Sequence, residues 1–365
     1  MIRRLVSHGR CTCCRQALNS PRKTSPRNGC LRSIQRAFRI TGNKTLSSAT
    51  TGFKRILVTG AGGQLGRAFR RAFLNRSLLF PVFVDSQVFY SDVEGENPCN
   101  LSEPAAILSL LERIKPDLIL NPGAYTAVDR AESEESLALA VNAEAPAVMA
   151  RWARAHDAMM IHYSTDYVFD GSGVSPRKED SPTGPLSIYG QTKLAGETAV
   201  LATGVQGAIF RSSWVYSDEG HNFIKTMLRL GAERDELRVV SDQTGVPTSA
   251  HFLARMTLHA LNSANARDGK DDLNLMSQAA VYHLVPRGTL NWHQFAEEIL
   301  GAARHAGKDI RATKVTAIAT SEYPTPAKRP LNSRLDCSRF ERTFGIKLDD
   351  WRVDFEKVMA AILSR

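Results

Sequence analysis

The stretch Lys54-Arg-Ile-Leu-Val-Thr-Gly-Ala-Gly-Gly-Gln-Leu-Gly66 decides the fold. Its first six residues form a short apolar run of the kind that makes a buried parallel strand. Glycines follow at positions 60, 63 and 66, and Arg67 to Leu74 then has helical composition. Strand, glycine turn and helix in that order are the setting of a dinucleotide-binding turn. Gly60 allows the tight turn, Gly63 lets backbone N–H groups approach a pyrophosphate, and Gly66 lets helix and strand pack closely. The phosphates then meet the positive end of the helix. The spacing is G-x-x-G-x-x-G, with Leu65 where the commoner G-x-G-x-x-G has its last glycine.

Working outward, Pro81-Val-Phe-Val84 reads as the second strand. Asp85 ends it, 19 residues past Gly66, where an acid hydrogen-bonds the adenosine ribose. A carboxylate there favours NADH over NADPH; the alternative makes Asp85 a plain turn residue. Asp117 to Asn121 is a third strand, after a helix ending near Lys115. Glu134 to Asp157 reads as one long helix, and Ala158 to Tyr163 as a further strand. This alternation predicts an α/β fold, a Rossmann-like doubly wound parallel sheet. Residues 53–215 are expected to form it, with a returning segment near 251–285. Residues 216–250 and 286–365 are expected to form a smaller, substrate-binding part.

Ser164-Thr165-Asp166 follows that last strand directly, at the sheet edge where ligands bind in such folds. Tyr189-Gly-Gln-Thr-Lys193 opens the next helix. Tyr and Lys four apart share a helical face, so the ammonium is expected to lower the phenol pKa from its usual value of about 10. Tyr189 is then a proton donor or acceptor, with Thr165 beside it.

These segments resemble the short-chain dehydrogenase/reductase superfamily in its extended branch. More closely they resemble the dTDP-4-dehydrorhamnose reductase family. The resemblance is carried by Asn121-Pro-Gly-Ala-Tyr-Thr126, His162-Tyr-Ser-Thr-Asp-Tyr-Val-Phe-Asp-Gly171, Tyr189-Gly-Gln-Thr-Lys-Leu-Ala-Gly-Glu197, Arg211-Ser-Ser-Trp-Val-Tyr216, Asp242-Gln-Thr-Gly-Val-Pro247 and Tyr323-Pro-Thr-Pro-Ala-Lys-Arg-Pro330. It implies hydride transfer from NADPH or NADH to the C4 ketone of a dTDP-linked 6-deoxy-4-ketohexose, giving dTDP-L-rhamnose. Tyr189 would protonate the C4 oxygen, Lys193 would hold the nicotinamide ribose, and Thr165 would hydrogen-bond the same oxygen. Carried over as cofactor contacts are Gly63, Gln64, Leu65, Asp85, Asp92, Val93, Ala124, Tyr125, Thr126 and Tyr163. Asp166 and Trp214 map to the sugar nucleotide; the alternative makes Trp214 an ordinary core aromatic.

Departures are visible. Pro122-Gly123 stands where the family usually has two alanines. Some members dimerise around Mg²⁺ held by glutamates, but the helix Arg67 to Phe73 carries no carboxylate and His251 falls where another glutamate belongs. No metal site is therefore expected, and a homodimer is left open. The Pro-rich run from Tyr323 to Pro330 reads either as a loop over the sugar nucleotide or as a surface connector. Arg211, Arg329 and Arg334 are candidates for its diphosphate.

The chain has 365 residues and a formal net charge of +10. Residues 1–52 hold eleven Arg and Lys and no Asp or Glu, which leaves the rest one negative charge from neutrality. No nucleic-acid surface follows. The first 52 residues read as a disordered basic extension, with an organellar transit peptide as the alternative. Cys11, Cys13 and Cys14 lack the companion ligands of a zinc site. With no apolar run long enough to span a bilayer, the expectation is a cytoplasmic protein without membrane partners. Two rivals remain. One is another 4-ketosugar reductase or an epimerase, which would recycle its NAD⁺. The other is a regulatory subunit of methionine adenosyltransferase, the role of one relative of the family.

Overall fold

The first strand, β1 (Arg55–Val58), has three fully buried apolar residues, Ile56, Leu57 and Val58. Side chains alternate across a strand, so one face cannot hold all three, and the sheet must be covered on both sides. The computed structural model describes residues 52–74, 80–266 and 276–365 and shows that covering. The expectations for the basic extension lie outside the described residues. Helix α1 (Gln64–Leu74) follows the glycine turn. A Cβ on Gly60 would lie 2.6 Å from the Cα of Gly123, and one on Gly66 2.3 Å from the Gly60 carbonyl oxygen. The turn is thus sealed against both the next strand's exit and its own helix.

The sheet continues with β2 (Gln87–Asp92), β3 (Asn97–Pro98), β4 (Leu118–Asn121), β5 (Met159–Thr165), β6 (Gln206–Ser212) and β7 (Ala280–His283). Their spatial order is β7-β6-β5-β4-β1-β2-β3. Every pairing is parallel. Connecting helices are α2 (Pro104–Ile114), α3 (Ala145–Ala155), α4 (Ile188–Ala202) and α6 (Ala250–Ala266). Phe69, Ile161, Phe210 and Phe252 fill one face; Leu57, Leu111, Met149 and Ile209 fill the other. A third apolar cluster, around Ile224, Phe295, Ile299, Trp351 and Phe355, lies among α5 (Phe223–Glu233), α7 (Trp292–His305) and α9 (Trp351–Leu363).

Three expectations are corrected. Pro81–Phe83 is a 3₁₀ turn rather than a strand. Proline has a helical φ and no N–H, which suits the first position of a turn and not a sheet interior. The second strand begins six residues later. The stretch 134–157 is helical but not one regular helix: Ala140–Glu144 forms a wide π-turn between two α-helical pieces. Residues 286–365 do not all belong to the third cluster. Phe340 and Phe344 of α8 (Ser338–Phe344), with Leu348, pack into the core of the main sheet.

Candidate active site

β5 ends at Thr165, whose hydroxyl accepts a hydrogen bond from Tyr167 N (3.2 Å) and starts a short turn. α4 starts at Ser187, which caps it by accepting from Gly190 N (3.2 Å). A Cβ on Gly190 would stand 2.3 Å from the Tyr167 carbonyl oxygen. Glycine there lets the first turn of α4 dock on the turn after β5. That docking sets the Tyr189 ring edge-on to Tyr167, at 5.5 Å between centroids, and puts Tyr189 in the same cleft wall as Thr165. One turn further along α4, the buried Lys193 Nζ donates to the Tyr163 carbonyl (2.7 Å) and lies 3.5 Å from His162 Nε2. Behind His162, Asn121 Nδ2 reaches its Nδ1 (3.1 Å), and Asn121 Oδ1 accepts from the Thr59 hydroxyl (2.6 Å). A buried polar chain therefore ties the tips of β1, β4 and β5 to α4.

The electrostatics differ from the sequence expectation. Burial pushes the Tyr189 phenol up to about 12, although the hydrogen bond to Thr165 pulls the other way. Burial also lowers Lys193 to about 8, against the favourable charge of Glu197. The ammonium is aimed at a backbone carbonyl, and desolvation outweighs any help it gives the phenol. His162 is held well below its ordinary value by burial, then by Lys193, and is neutral. Asp166 is raised to about 6 by burial, which its hydrogen bonds to Ser333 and Thr165 only partly offset. Among the described residues its Oδ2 has no hydrogen-bond partner.

These groups line one end of a cleft of about 680 Å³ that runs back over the glycine turn. It brings together Gly60, Gly63, Gln64, Leu65, Gly66, Asp92, Val93, Ala124, Thr126, Tyr163, Thr165, Asp166, Tyr189, Lys193 and Trp214. Two sequence candidates are not there. Asp85 sits in the exposed turn before β2, because the strand it was thought to end does not exist. The strand-end acid is Asp92, whose carboxylate accepts from Gly62 N (2.6 Å) and Val93 N (2.8 Å). Tyr125 turns its hydroxyl to Glu134 and its N–H to Asn142, outside the cleft lining.

Sequence reasoning missed Trp292, which stacks on Trp214 with centroids 3.7 Å apart in the cleft wall. Trp214 has φ 48°, a left-handed backbone that costs a side-chain-bearing residue about 1–3 kcal/mol. Only the folded chain brings these two rings together, 78 positions apart, so no local signal announced the pair. Of the candidate arginines, Arg211 forms a buried ion pair with Glu197 (2.6 Å) and Arg329 pairs with Asp129 (2.7 Å). Arg334 turns to Asn332. His251 lies 2.8 Å from Asp218, which also takes Arg71 and Arg365.

Residues 54–364 match the family described as the RmlD substrate binding domain. The dTDP-4-dehydrorhamnose reductases of Shigella flexneri and Escherichia coli K12 are each 42% identical to this chain, over 85% of it and 98% of their own length. A crystal structure of a Clostridium acetobutylicum dTDP-4-dehydrorhamnose reductase superposes with TM-score 0.72 at 34% identity, covering 84% of this chain and 98% of its own. That of the Bacillus anthracis enzyme in complex with NADP gives 0.71 at 30%, covering 84% and 99%. Among the described residues no helix is long and apolar enough to cross a membrane. By that match over residues 54–364 and those identities over nearly the whole length of the relatives, this chain belongs to the dTDP-4-dehydrorhamnose reductase family.

Proposed function

We propose that the cleft binds a reduced nicotinamide dinucleotide over the glycine turn and reduces the C4 ketone of dTDP-4-dehydro-L-rhamnose to dTDP-L-rhamnose. The observation that carries this reading is the convergence of Thr165, Tyr189 and Lys193 on one end of the cleft, with Thr165 and Lys193 buried. The turn between β1 and α1 suits the dinucleotide: the space at Gly66 admits no Cβ, and the α1 N-terminus opens on the cleft. When bound, the dinucleotide supplies the hydride.

The protein's own groups do the rest. With its pKa near 12, Tyr189 is protonated at neutral pH and can give its proton to the C4 oxygen. Thr165 holds that oxygen and the phenol together, as a fixed donor stabilises developing charge. Lys193 and Tyr163 fix the ribose side of the nicotinamide, and Lys193 is oriented for that by the Tyr163 carbonyl. The uncommitted Asp166 Oδ2 suits a sugar hydroxyl, and the Trp214–Trp292 wall suits the sugar nucleotide. Gln64, Leu65, Asp92, Val93, Ala124 and Thr126 contact the dinucleotide. The substrate is small and soluble, and the setting that fits it is the cytoplasm.

The test is direct. Mixed with dTDP-4-dehydro-L-rhamnose and NADPH, the protein is expected to consume absorbance at 340 nm in step with formation of dTDP-L-rhamnose. Consumption giving the other C4 epimer, or none at all with the dinucleotide bound, rejects the assignment.

A further inference from the structure

Beside the cleft lies a second concavity of about 720 Å³, and the two share Asp92 and Val93 at the end of β2. An adenosine ribose held at Asp92 would turn its 2′ position toward this second space. Three arginines of α1 line it: Arg67, Arg70 and Arg71. Two are already matched. Arg67 pairs with Glu219 (3.0 Å) and donates to the Gly62 carbonyl (2.7 Å), and Arg71 pairs with Asp218 (2.9 Å) and Glu219. Arg70 differs. Among the described residues it makes no ion pair, and its guanidinium carbon lies over the Tyr90 ring, 3.9 Å from the centroid.

Tyr90 stands two residues before Asp92 on β2, so this stack holds a charged, planar fork at the 2′ side of the ribose position. Both oxygens of Asp92 are taken by backbone N–H groups, which leaves the acid less free to grip a bare 2′-hydroxyl. Glu94 and Glu96 share the concavity but are exposed, where solvent screens them.

We propose that Arg70, held by Tyr90, is the 2′-phosphate subsite of this chain and selects NADPH over NADH. The inference rests on the cleft holding a dinucleotide, and it reverses the preference that the sequence expectation for Asp85 had given. A charge-assisted contact to a phosphate is worth roughly tenfold or more in affinity.

The experiment compares wild type with Arg70→Gln, an exposed helix position where glutamine is well tolerated. The ratio of kcat/KM for NADPH over NADH is expected to fall at least tenfold. Inhibition by 2′,5′-ADP should weaken by a similar factor relative to 5′-AMP, and the salt dependence of the NADPH KM should flatten. A ratio that stays within twofold overturns the proposal, as does wild-type inhibition by 2′,5′-ADP no stronger than by 5′-AMP. Neither result touches the cleft assignment. Failure of the wild type to bind either dinucleotide overturns both.

Discussion

The two ends of the cleft are built on opposite principles. At the inner end, Thr165 and Lys193 are buried and Tyr189 is half-buried, and desolvation is the largest force moving the phenol up and the ammonium down. At the outer end Val93 is exposed and Asp92 half-buried, and in the adjoining concavity Arg70 is exposed. The contrast teaches where each job is done. Proton transfer needs a dry site whose groups are fixed before the substrate arrives. Choosing between two dinucleotides needs only one well-placed charge, which an open site supplies without disturbing the core.

The buried end should be fragile, and the largest expected effect tests that. Glu197, one turn beyond Lys193, faces Arg211 of β6 with both side chains almost wholly enclosed, 2% and 4% exposed. Two of the three guanidinium contacts fall on the carboxylate, at 2.8 and 2.6 Å, and the third, longer one on the Glu179 carbonyl. Glu197→Gln leaves a buried cation without its partner, a loss of about 3–5 kcal/mol. The expected outcome in a urea titration is a midpoint lowered without a change of slope. A midpoint that does not move would show that water reaches this end, and the contrast between the two ends would collapse.

Next in size is the chemistry. Tyr189→Phe keeps the ring against Tyr167 and removes only the hydroxyl. Loss of a general acid costs about 10²-fold in kcat, near 3 kcal/mol. Stopped-flow turnover at saturating NADPH should show that drop while dinucleotide fluorescence still reports binding. A variant turning over at nearly the wild-type rate would move the proton donor elsewhere.

How far these ends could be read from the sequence differs as well. Strand β1, the glycine turn, β4, β5, the start of α4 and the returning β7 were legible because each is a local pattern: an apolar run, a turn residue, a fixed helical spacing. The inner catalytic group was legible for the same reason, since Tyr189 and Lys193 lie in one turn and Thr165 at a strand end. Their pKa values were not, because desolvation depends on everything packed around them. The outer end was misread at Pro81–Val84, where four apolar residues, of which only Val82 and Phe83 are buried, form a turn and imitate a strand. The true second strand, Gln-Val-Phe-Tyr-Ser-Asp, is partly exposed and reads as less apolar. Placing the strand wrongly misplaced its terminal acid by seven positions and hid the neighbouring arginines.

The smallest effect has a sign that separates the two ends most sharply. Lys193 is buried with its pKa lowered to about 8 by desolvation, from an ordinary value near 10.5. Between those values the unfolded chain binds a proton that the folded chain does not, so this residue's contribution to stability rises as pH rises through that window. Below pH 8 the charged lysine is therefore a net cost to the fold. Lys193→Met removes that cost together with the single hydrogen bond to the Tyr163 carbonyl, whose loss takes back about 1 kcal/mol. The ligand-free variant is expected to melt about 2–4 °C higher at pH 7, with the gain shrinking toward pH 10.5. Its turnover should fall all the same. At the outer end, Arg70→Met should leave the melting temperature within about 1 °C at any of these pH values, because that guanidinium keeps its water. Scanning calorimetry of both variants across pH decides it: a lower melting point for Lys193→Met at pH 7 would mean that the ammonium stabilises the fold, and that catalysis here carries no structural cost.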